Sequence, residues 1–412
     1  MSETRADRRL SDLEHRANVV ELTSYFQPVF NLRTGRAVGV EALMRPITAR
    51  GDILAPETIL ERARREGLLL ELERKTRSVA VEQFSRSRRS EELILFLNFS
   101  ATLLDGGQID PGRLSSTIRD YGLSERSVAI EIVESGVRSQ DELAKFARRN
   151  RDAGFLISLD DFGTKHSNLE RITVVRPDII KIDRSIISGT AQSPVKRSVL
   201  RSITYLARTI GALSLAEGVE VYEDLLACAV EGVELAQGYL LGRPQPTVAT
   251  AQGSEPARES LSRLGHDLRM RLSSLNASHR AVEEVVEALA ECFEHAEESD
   301  IERIAEREAD TCDTFECIYV IDDRGVQLTR TIATRRTQRR VQRHAIFQPA
   351  GKGTDHSLKD YVYAPLALGH RQYVTEPYLS LATGEPCRTW SRRVRSRAGR
   401  ELILCVDIAH RE

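Results

Sequence analysis

No apolar run in this chain approaches the length of a membrane span. Residues 1–18, MSETRADRRLSDLEHRAN, are too polar for a secretory signal, so a cytoplasmic protein is expected. An excess of either charge is also missing. The 59 Lys and Arg against 61 Asp and Glu leave a net charge of −2, which argues against a polyanion-binding surface and predicts no nucleic-acid partner. Paired cysteines are absent. Cys228, Cys292, Cys312, Cys317, Cys387 and Cys405 stand without CxxC spacing, so reduced thiols are expected and structural zinc is not. What remains is a chain of 412 residues, 41% hydrophobic and 29% charged, with enough length for two or three domains.

Within the first 240 residues, short runs rich in Ile, Leu and Val end in polar residues. Ile94–Leu97 ends in Asn98, Val128–Ile130 in Glu131, Phe155–Leu159 in Asp160-Asp161, and Ala212–Ala216 in Glu217; Ile179-Ile180 leads into Lys181. Such runs read as buried parallel strands. In a barrel of parallel strands the chemistry gathers at the strands' C-terminal ends. Glu41 likewise follows the run Val38–Val40. Glu41, Asn98, Glu131 and Asp160 are hard oxygen ligands, which suit Mg²⁺ or Mn²⁺ better than zinc. The adjacent Asp160 and Asp161 could serve two ions about 4 Å apart, a geometry that clamps both oxygens of a phosphoryl displacement. Lys181 could orient or deprotonate a water, or neutralise a phosphate. Taken singly, each has a duller account: Asp160-Asp161 as a helix cap, Glu131 and Glu134 as surface charges, Lys181 as a solvated lysine. Their joint placement at strand ends favours the site.

Strand-like runs alternate with helical segments Pro56–Glu66, Gln140–Ala153, Val195–Thr209 and Tyr222–Val230, which predicts a parallel α/β fold. Four segments are expected: a polar helix over 1–19, the α/β domain over 20–250, a long amphipathic linker helix over 251–312 and an α+β unit over 313–412. In the linker, Leu261, Leu268, Leu275, Val282 and Leu289 recur every seven residues, as a coiled-coil seam or as the face of a helix packed on its own domain. From 313 on, Phe315–Ile321, Val326–Leu328, Tyr373–Leu381, Cys387–Val394 and Glu401–Ile408, joined by Gly-containing turns, predict an antiparallel meander.

Eight ordered motifs carry a family resemblance. They are Phe26-Gln27-Pro28, Glu41-Ala42-Leu43-Met44-Arg45, Leu97-Asn98-Phe99-Ser100, Glu131-Ile132-Val133-Glu134, Asp160-Asp161-Phe162-Gly163-Thr164, Lys181-Ile182-Asp183, Ala216-Glu217-Gly218-Val219-Glu220 and Gln237-Gly238-Tyr239 with Gly242-Arg243-Pro244. Residues 20–247 thereby resemble an EAL domain, the cyclic di-GMP phosphodiesterase family. The resemblance implies a TIM-like (β/α)8 barrel with an antiparallel first strand, hydrolysis of cyclic di-GMP to linear pGpG, two Mg²⁺ or Mn²⁺ ions per barrel, and a homodimer. It implies a first metal on Glu41, Asn98, Glu131 and Asp160, a second on Asp160 and Asp161, and Glu217 at the metal centre. Lys181 would sit by the attacking water, with Glu41 and Glu217 also counted as catalytic. Glu134 would steady the loop after Asp161. Gln27, Leu43, Arg45, Gln237 and Pro244 would bind the dinucleotide. One departure stands out: the family continues Gly-Tyr-Ser-Ser after Thr164, and this chain reads Lys165-His166-Ser167-Asn168. The alternative that departure raises is a catalytically weak receptor that signals to a protein partner.

The stretch Val374–Pro386 with Val406-Asp407-Ile408 resembles PAS-like or Cache-like sensor domains more loosely. The resemblance implies either a ligand sensor acting on the barrel or a ligand-free dimerisation module. Tyr378, Arg388, Trp390 and Asp407 are candidate pocket residues, and the basic run Arg335–Arg343 reads as a solvated face.

Overall fold

The computed structural model describes residues 5–87, 90–106, 111–133, 139–163, 169–249, 255–294, 296–310, 312–338 and 347–410. Glu134, the loop Lys165–Asn168 and the second half of the basic run, 339–343, lie outside the described residues. The chain divides into two compact units, Met1–Leu272 and Ser273–Glu412.

The first unit opens with helix α1 (Arg5–Arg16), whose Leu10 and Leu13 pack with Leu22, Ile59 and Leu72. Strands β1 (Val19–Asn31) and β2 (Arg36–Thr48) form a hairpin, its turn closed by Gly35 at φ 65°. A short turn permits only antiparallel pairing, which sets the direction of β1. Helices and strands then alternate: α2 (Pro56–Glu66), α3 (Leu69–Ser85), β3 (Ile94–Ser100), α4 (Pro111–Asp120), β4 (Val128–Val133), α5 (Gln140–Asp152), β5 (Leu156–Phe162), α6 (Leu169–Val175) and β6 (Ile179–Ile182). They continue with α7 (Arg184–Ile187), α8 (Pro194–Thr209), β7 (Leu213–Ala216), α9 (Tyr222–Val230) and β8 (Leu235–Ala236). The strands close into a barrel in sequence order. β1 runs antiparallel to β2 and β8, and every other neighbouring pair is parallel.

Strand periodicity explains how one sequence fills both faces. In β3, Leu95 and Leu97 join the core beneath the helices, while Phe96 joins a separate interior core with Val29, Ala129, Ile179, Leu215 and Leu235. One pleat beyond that interior layer, the same face presents Asn98, Glu131, Lys181, Glu217 and Gln237. In the antiparallel β1, one pleat before Val29, it presents Gln27. The apolar layer plugs the barrel, and the polar layer is its rim.

The second unit contains α11 (Ile301–Glu308), β9 (Phe315–Asp322), β10 (Ile332–Ala333), α12 (Arg335–Gln338), α13 (Asp360–Ala367), β11 (Gln372–Val374), β12 (Tyr378–Leu379), β13 (Pro386–Arg395) and β14 (Glu401–Ala409). The sheet order is β10-β9-β14-β13-β11, with β12 also on β13. This corrects the expected meander: the last strand returns between β9 and β13, so the first strand is internal. Residues 326–328 make isolated bridges from Val326 and Gln327 and no strand. The strand expected over 373–381 is split in two around Pro377, which has no N–H to donate.

Where one linker helix was expected over 251–312, helix α10 runs Glu255–Glu294 and α11 begins at Ile301. The heptad stripe of α10 serves separate cores. Leu261 and Leu264 pack in the first unit, and Val282, Val286, Leu289 and Phe293 pack in the second. Residues 269–281 are exposed all round.

Candidate active site

Each polar rim residue is placed by its strand, and the rim side chains meet around Lys181. Its Nζ lies 2.7 Å from Glu131 Oε1, 2.7 Å from Glu217 Oε1, 3.2 Å from Asp160 Oδ1 and 3.7 Å from Glu41 Oε2. Lys181 is 1% and Glu131 0% exposed, so these charges act in a dry environment. Asn98 Nδ2 donates to Glu41 Oε1 at 3.0 Å, and Gln237 Nε2 donates to Glu41 Oε2 at 2.7 Å. Gln237 Nε2 also donates to Gln27 Oε1 at 3.0 Å, and Gln27 Nε2 donates to the Gly242 carbonyl at 3.0 Å. The strip carrying Gly242 and Pro244 is held beside Gln27 by reciprocal backbone hydrogen bonds between Phe26 and Gln245.

Asp161 takes the left-handed conformation at φ 54°, and its amide donates to Asp160 Oδ1 at 2.9 Å. One oxygen each from Asp160, Asp161 and Glu217 lie within 4.8 Å of one another, close enough to share a cation. Leu43 and Arg45 follow Glu41 at alternate positions of β2 and line a cavity of about 430 Å³ that reaches Asn98 and Ser100. Arg45 donates to the Met44 carbonyl at 2.9 Å, and its guanidinium lies 5.5 Å from the centre of the Tyr25 ring. The structure thus brings Gln27, Glu41, Asn98, Glu131, Asp160, Asp161, Lys181, Glu217 and Gln237 into one cluster, sets Leu43 and Arg45 in the adjoining cavity, and places Pro244 in the strip past Gln27.

The electrostatics test whether cations fit this cluster. Glu41, Glu131, Asp160, Asp161 and Glu217 are five carboxylates against the one ammonium of Lys181, a net charge of −4 when all are ionised. Burial and the nearby Glu41 push the Glu131 carboxyl well above the usual range, and burial raises Glu217 to about 8. Burial, then Asp160, raises Asp161. Burial works to raise Glu41 too, but Lys181, Gln237 and Asn98 outweigh it and hold that group low. Burial alone would depress Lys181; Asp160, Glu131, Glu217 and Glu41 overcome it and keep the ammonium. Among the described residues, Glu131 Oε2 and Gln237 Oε1 are buried without a hydrogen-bond partner. Orphaned oxygens and more acids than one ammonium can offset fit residues that would hold cations. The donor set is all oxygen and suits a hard divalent ion.

Sequence reasoning did not single out the far walls of the cavity, which include Glu57 and Leu60 of α2 and Glu73 and Arg77 of α3. Their i, i+3 and i, i+4 spacing marks a shared helix face, but nothing in it distinguishes a cavity wall from a solvated surface.

The comparisons with known proteins agree with this geometry. The family model of the EAL domain matches residues 10–244, more than half of the chain. The EAL-domain containing protein YkuI of Bacillus subtilis (strain 168) is 26% identical over 418 residues, 97% of each chain. The crystal structure of YkuI in complex with substrate c-di-GMP and calcium has the same fold, with a TM-score of 0.78 over 97% of this chain and 99% of that one at 23% identity. The probable cyclic di-GMP phosphodiesterase PdeI of Escherichia coli (strain K12) is 29% identical over 256 residues, 60% of this chain; the chain spans about a third (32%) of PdeI's length. On the family match and the barrel that carries it, this chain belongs to the EAL-domain family.

Proposed function

We propose that the barrel hydrolyses one phosphodiester bond of cyclic di-GMP to give linear pGpG, using two divalent cations, Mg²⁺ or Mn²⁺. The observation that carries this reading is the rim cluster itself: five carboxylates and an amide around one buried ammonium, beside a cavity with an arginine on its wall. The charge of −4 that the five carboxylates and Lys181 reach once all are ionised, as bound cations would hold them, matches two divalent ions, and the relatives named for the dinucleotide share the domain. Glu41, Asn98, Glu131 and Asp160 would hold one ion, Asp160 and Asp161 the other, with Glu217 beside them. Bound ions would polarise the phosphodiester and acidify the attacking water.

The chain's own residues do the rest. Lys181 keeps its proton at Nζ and offers positive charge to an anionic oxygen at the floor of the site. Arg45 stands in the cavity wall, where a phosphate of the dinucleotide would meet it. Gln237 ties Glu41 to Gln27 and so fixes a metal-side carboxylate and a substrate-side amide together.

The C-terminal unit is proposed as a regulatory sensor. A chain of hydrogen bonds crosses its sheet, buried from Tyr319 through Asp407 to Thr389 and half-buried at Tyr378, a polar interior that a simple packing module does not need. Exposed Leu272 and Leu275, on the face of the heptad stripe of α10, support a homodimer.

The test is hydrolysis of cyclic di-GMP by the purified protein with Mg²⁺ or Mn²⁺, beside a binding titration in Ca²⁺. Appearance of pGpG, lost in Glu41→Ala with folding intact, is the expected result. Undiminished turnover in Glu41→Ala would sink the metal assignment, and tight binding without pGpG would make the protein a receptor.

A further inference from the structure

The barrel opens where β2 and β3 part. β2 remains paired with β1 as far as Thr48, but with β3 it pairs only up to Ala42 opposite Leu97. On its other edge β3 continues against β4 to Ser100 opposite Val133. Residues 98 and 100 point their backbone groups to the same side of the strand. The Asn98 carbonyl and the Ser100 amide therefore face the gap with no strand to receive them. Two side chains of α3 take that place. Arg77 Nη1 donates to the Asn98 carbonyl at 3.3 Å, and the Ser100 amide donates to Glu73 Oε2 at 3.4 Å. Arg77 Nη1 also meets Glu73 Oε2 at 2.8 Å, so the two form one ion pair, with Arg77 8% and Glu73 7% exposed. Phe99 fixes the guanidinium from beside the strand: Arg77 Cζ lies 4.7 Å from its ring centre, and that ring packs on Phe146 at 4.5 Å.

A buried ion pair is expensive to keep for stability alone, because apolar residues of the same volume do as well. This pair has another task. The backbone it holds carries Asn98, whose amide donates to Glu41 Oε1 at 3.0 Å inside the carboxylate cluster. We propose that Glu73 and Arg77 are positioning residues that stand in for the missing β2 ladder and hold Asn98 in register with the metal-binding rim. The inference rests on the metal reading above and adds to it residues that touch no reacting atom.

The experiment is a Mn²⁺ titration of the full chain followed by electron paramagnetic resonance, without substrate, alongside thermal unfolding. The double variant Glu73→Leu with Arg77→Met removes both links and leaves no buried charge unpaired. It is expected to unfold near the wild-type temperature and to bind Mn²⁺ about 10-fold or more weakly, the size of effect seen when support behind a metal ligand is lost. Arg77→Lys, which keeps a donor, is expected to recover part of that affinity. Val81→Ala, a core truncation on the same helix, is expected to lower the unfolding temperature and leave Mn²⁺ affinity unchanged. Wild-type Mn²⁺ affinity in the double variant would overturn the proposal, as would an affinity loss in Val81→Ala equal to that of the double variant. A wild-type protein that binds no Mn²⁺ would overturn the metal reading and this inference with it.

Discussion

At the scale of single residues, the cluster sets function against stability. Glu131 is fully buried, faces Glu41 and Asp160, and has one oxygen without a partner. Glu131→Gln should therefore raise the stability of the metal-free protein, by about 1–2 kcal/mol, while abolishing turnover. Lys181→Met should do the reverse to the fold. Without the ammonium, Glu131, Glu217 and Asp160 lose the one cation beside them, and a loss of about 3–5 kcal/mol is expected at neutral pH. Denaturant unfolding in chelator, run side by side on the two variants, checks the pair of signs. A destabilised Glu131→Gln would mean that the pairing of Glu131 with Lys181 outweighs burial and the repulsion from Glu41 and Asp160.

At the scale of elements, the rim is only as well placed as the strand ends beneath it. Gly238 follows Gln237 where the chain leaves β8, and a side chain there would meet the Val219 carbonyl oxygen at 2.1 Å and the Val219 nitrogen at 2.2 Å. The same two segments are tied by the Val219 amide donating to the Gln237 carbonyl at 3.0 Å. Gly238→Ala must force them apart. It should cost about 1–3 kcal/mol and disturb Gln237, so that cyclic di-GMP binding in Ca²⁺ weakens along with the unfolding midpoint. A variant with unchanged midpoint and binding would show that the crossing relaxes freely. Elements were legible in the sequence to different degrees. The helices Pro56–Glu66 and Tyr222–Val230 are found within the bounds that the sequence predicts, the first of them marked by local signals, Pro at its start and a left-handed Gly67 after its end. The strand pairing of the second unit was not legible, since β9 meets β14 across most of that unit and pairing partners leave no local mark.

At the scale of the whole molecule, the second of the two compact units carries a buried titrating group of its own. In the second unit, Asp407 is 3% exposed and its carboxyl is pushed up to about 7, first by burial, against hydrogen bonds from Thr389 and Tyr319 that lower it. Glu316 adds to the rise, and Cys317, Cys405 and Tyr319 lie close enough to feel the charge. A raised acid binds more protons folded than unfolded between its ordinary value of 3.8 and about 7. Its contribution to stability is therefore fully present below pH 4, is lost as pH rises to 7, and is flat beyond. The difference in unfolding free energy between wild type and Asp407→Asn should change by roughly 3–4 kcal/mol across that window. Thermal unfolding from pH 4 to pH 8 measures it, and parallel curves for the two proteins would remove Asp407 as the titrating group.

The sequence by itself determined the barrel's order of elements and the members of its rim. Each has a local part: a polar residue two places past an interior-facing apolar one shares its face, and the hairpin at Gly35 turns the first strand round. Tertiary structure alone decided which charges are buried against one ammonium and which oxygens lack partners. It also decided that a helix surface pair, Glu73 and Arg77, serves the strand that carries Asn98. Those facts depend on distances between segments far apart in the chain. The spacing of Glu73 and Arg77 is that of any solvated i, i+4 pair, and only closure of the barrel brings them to the gap between β2 and β3.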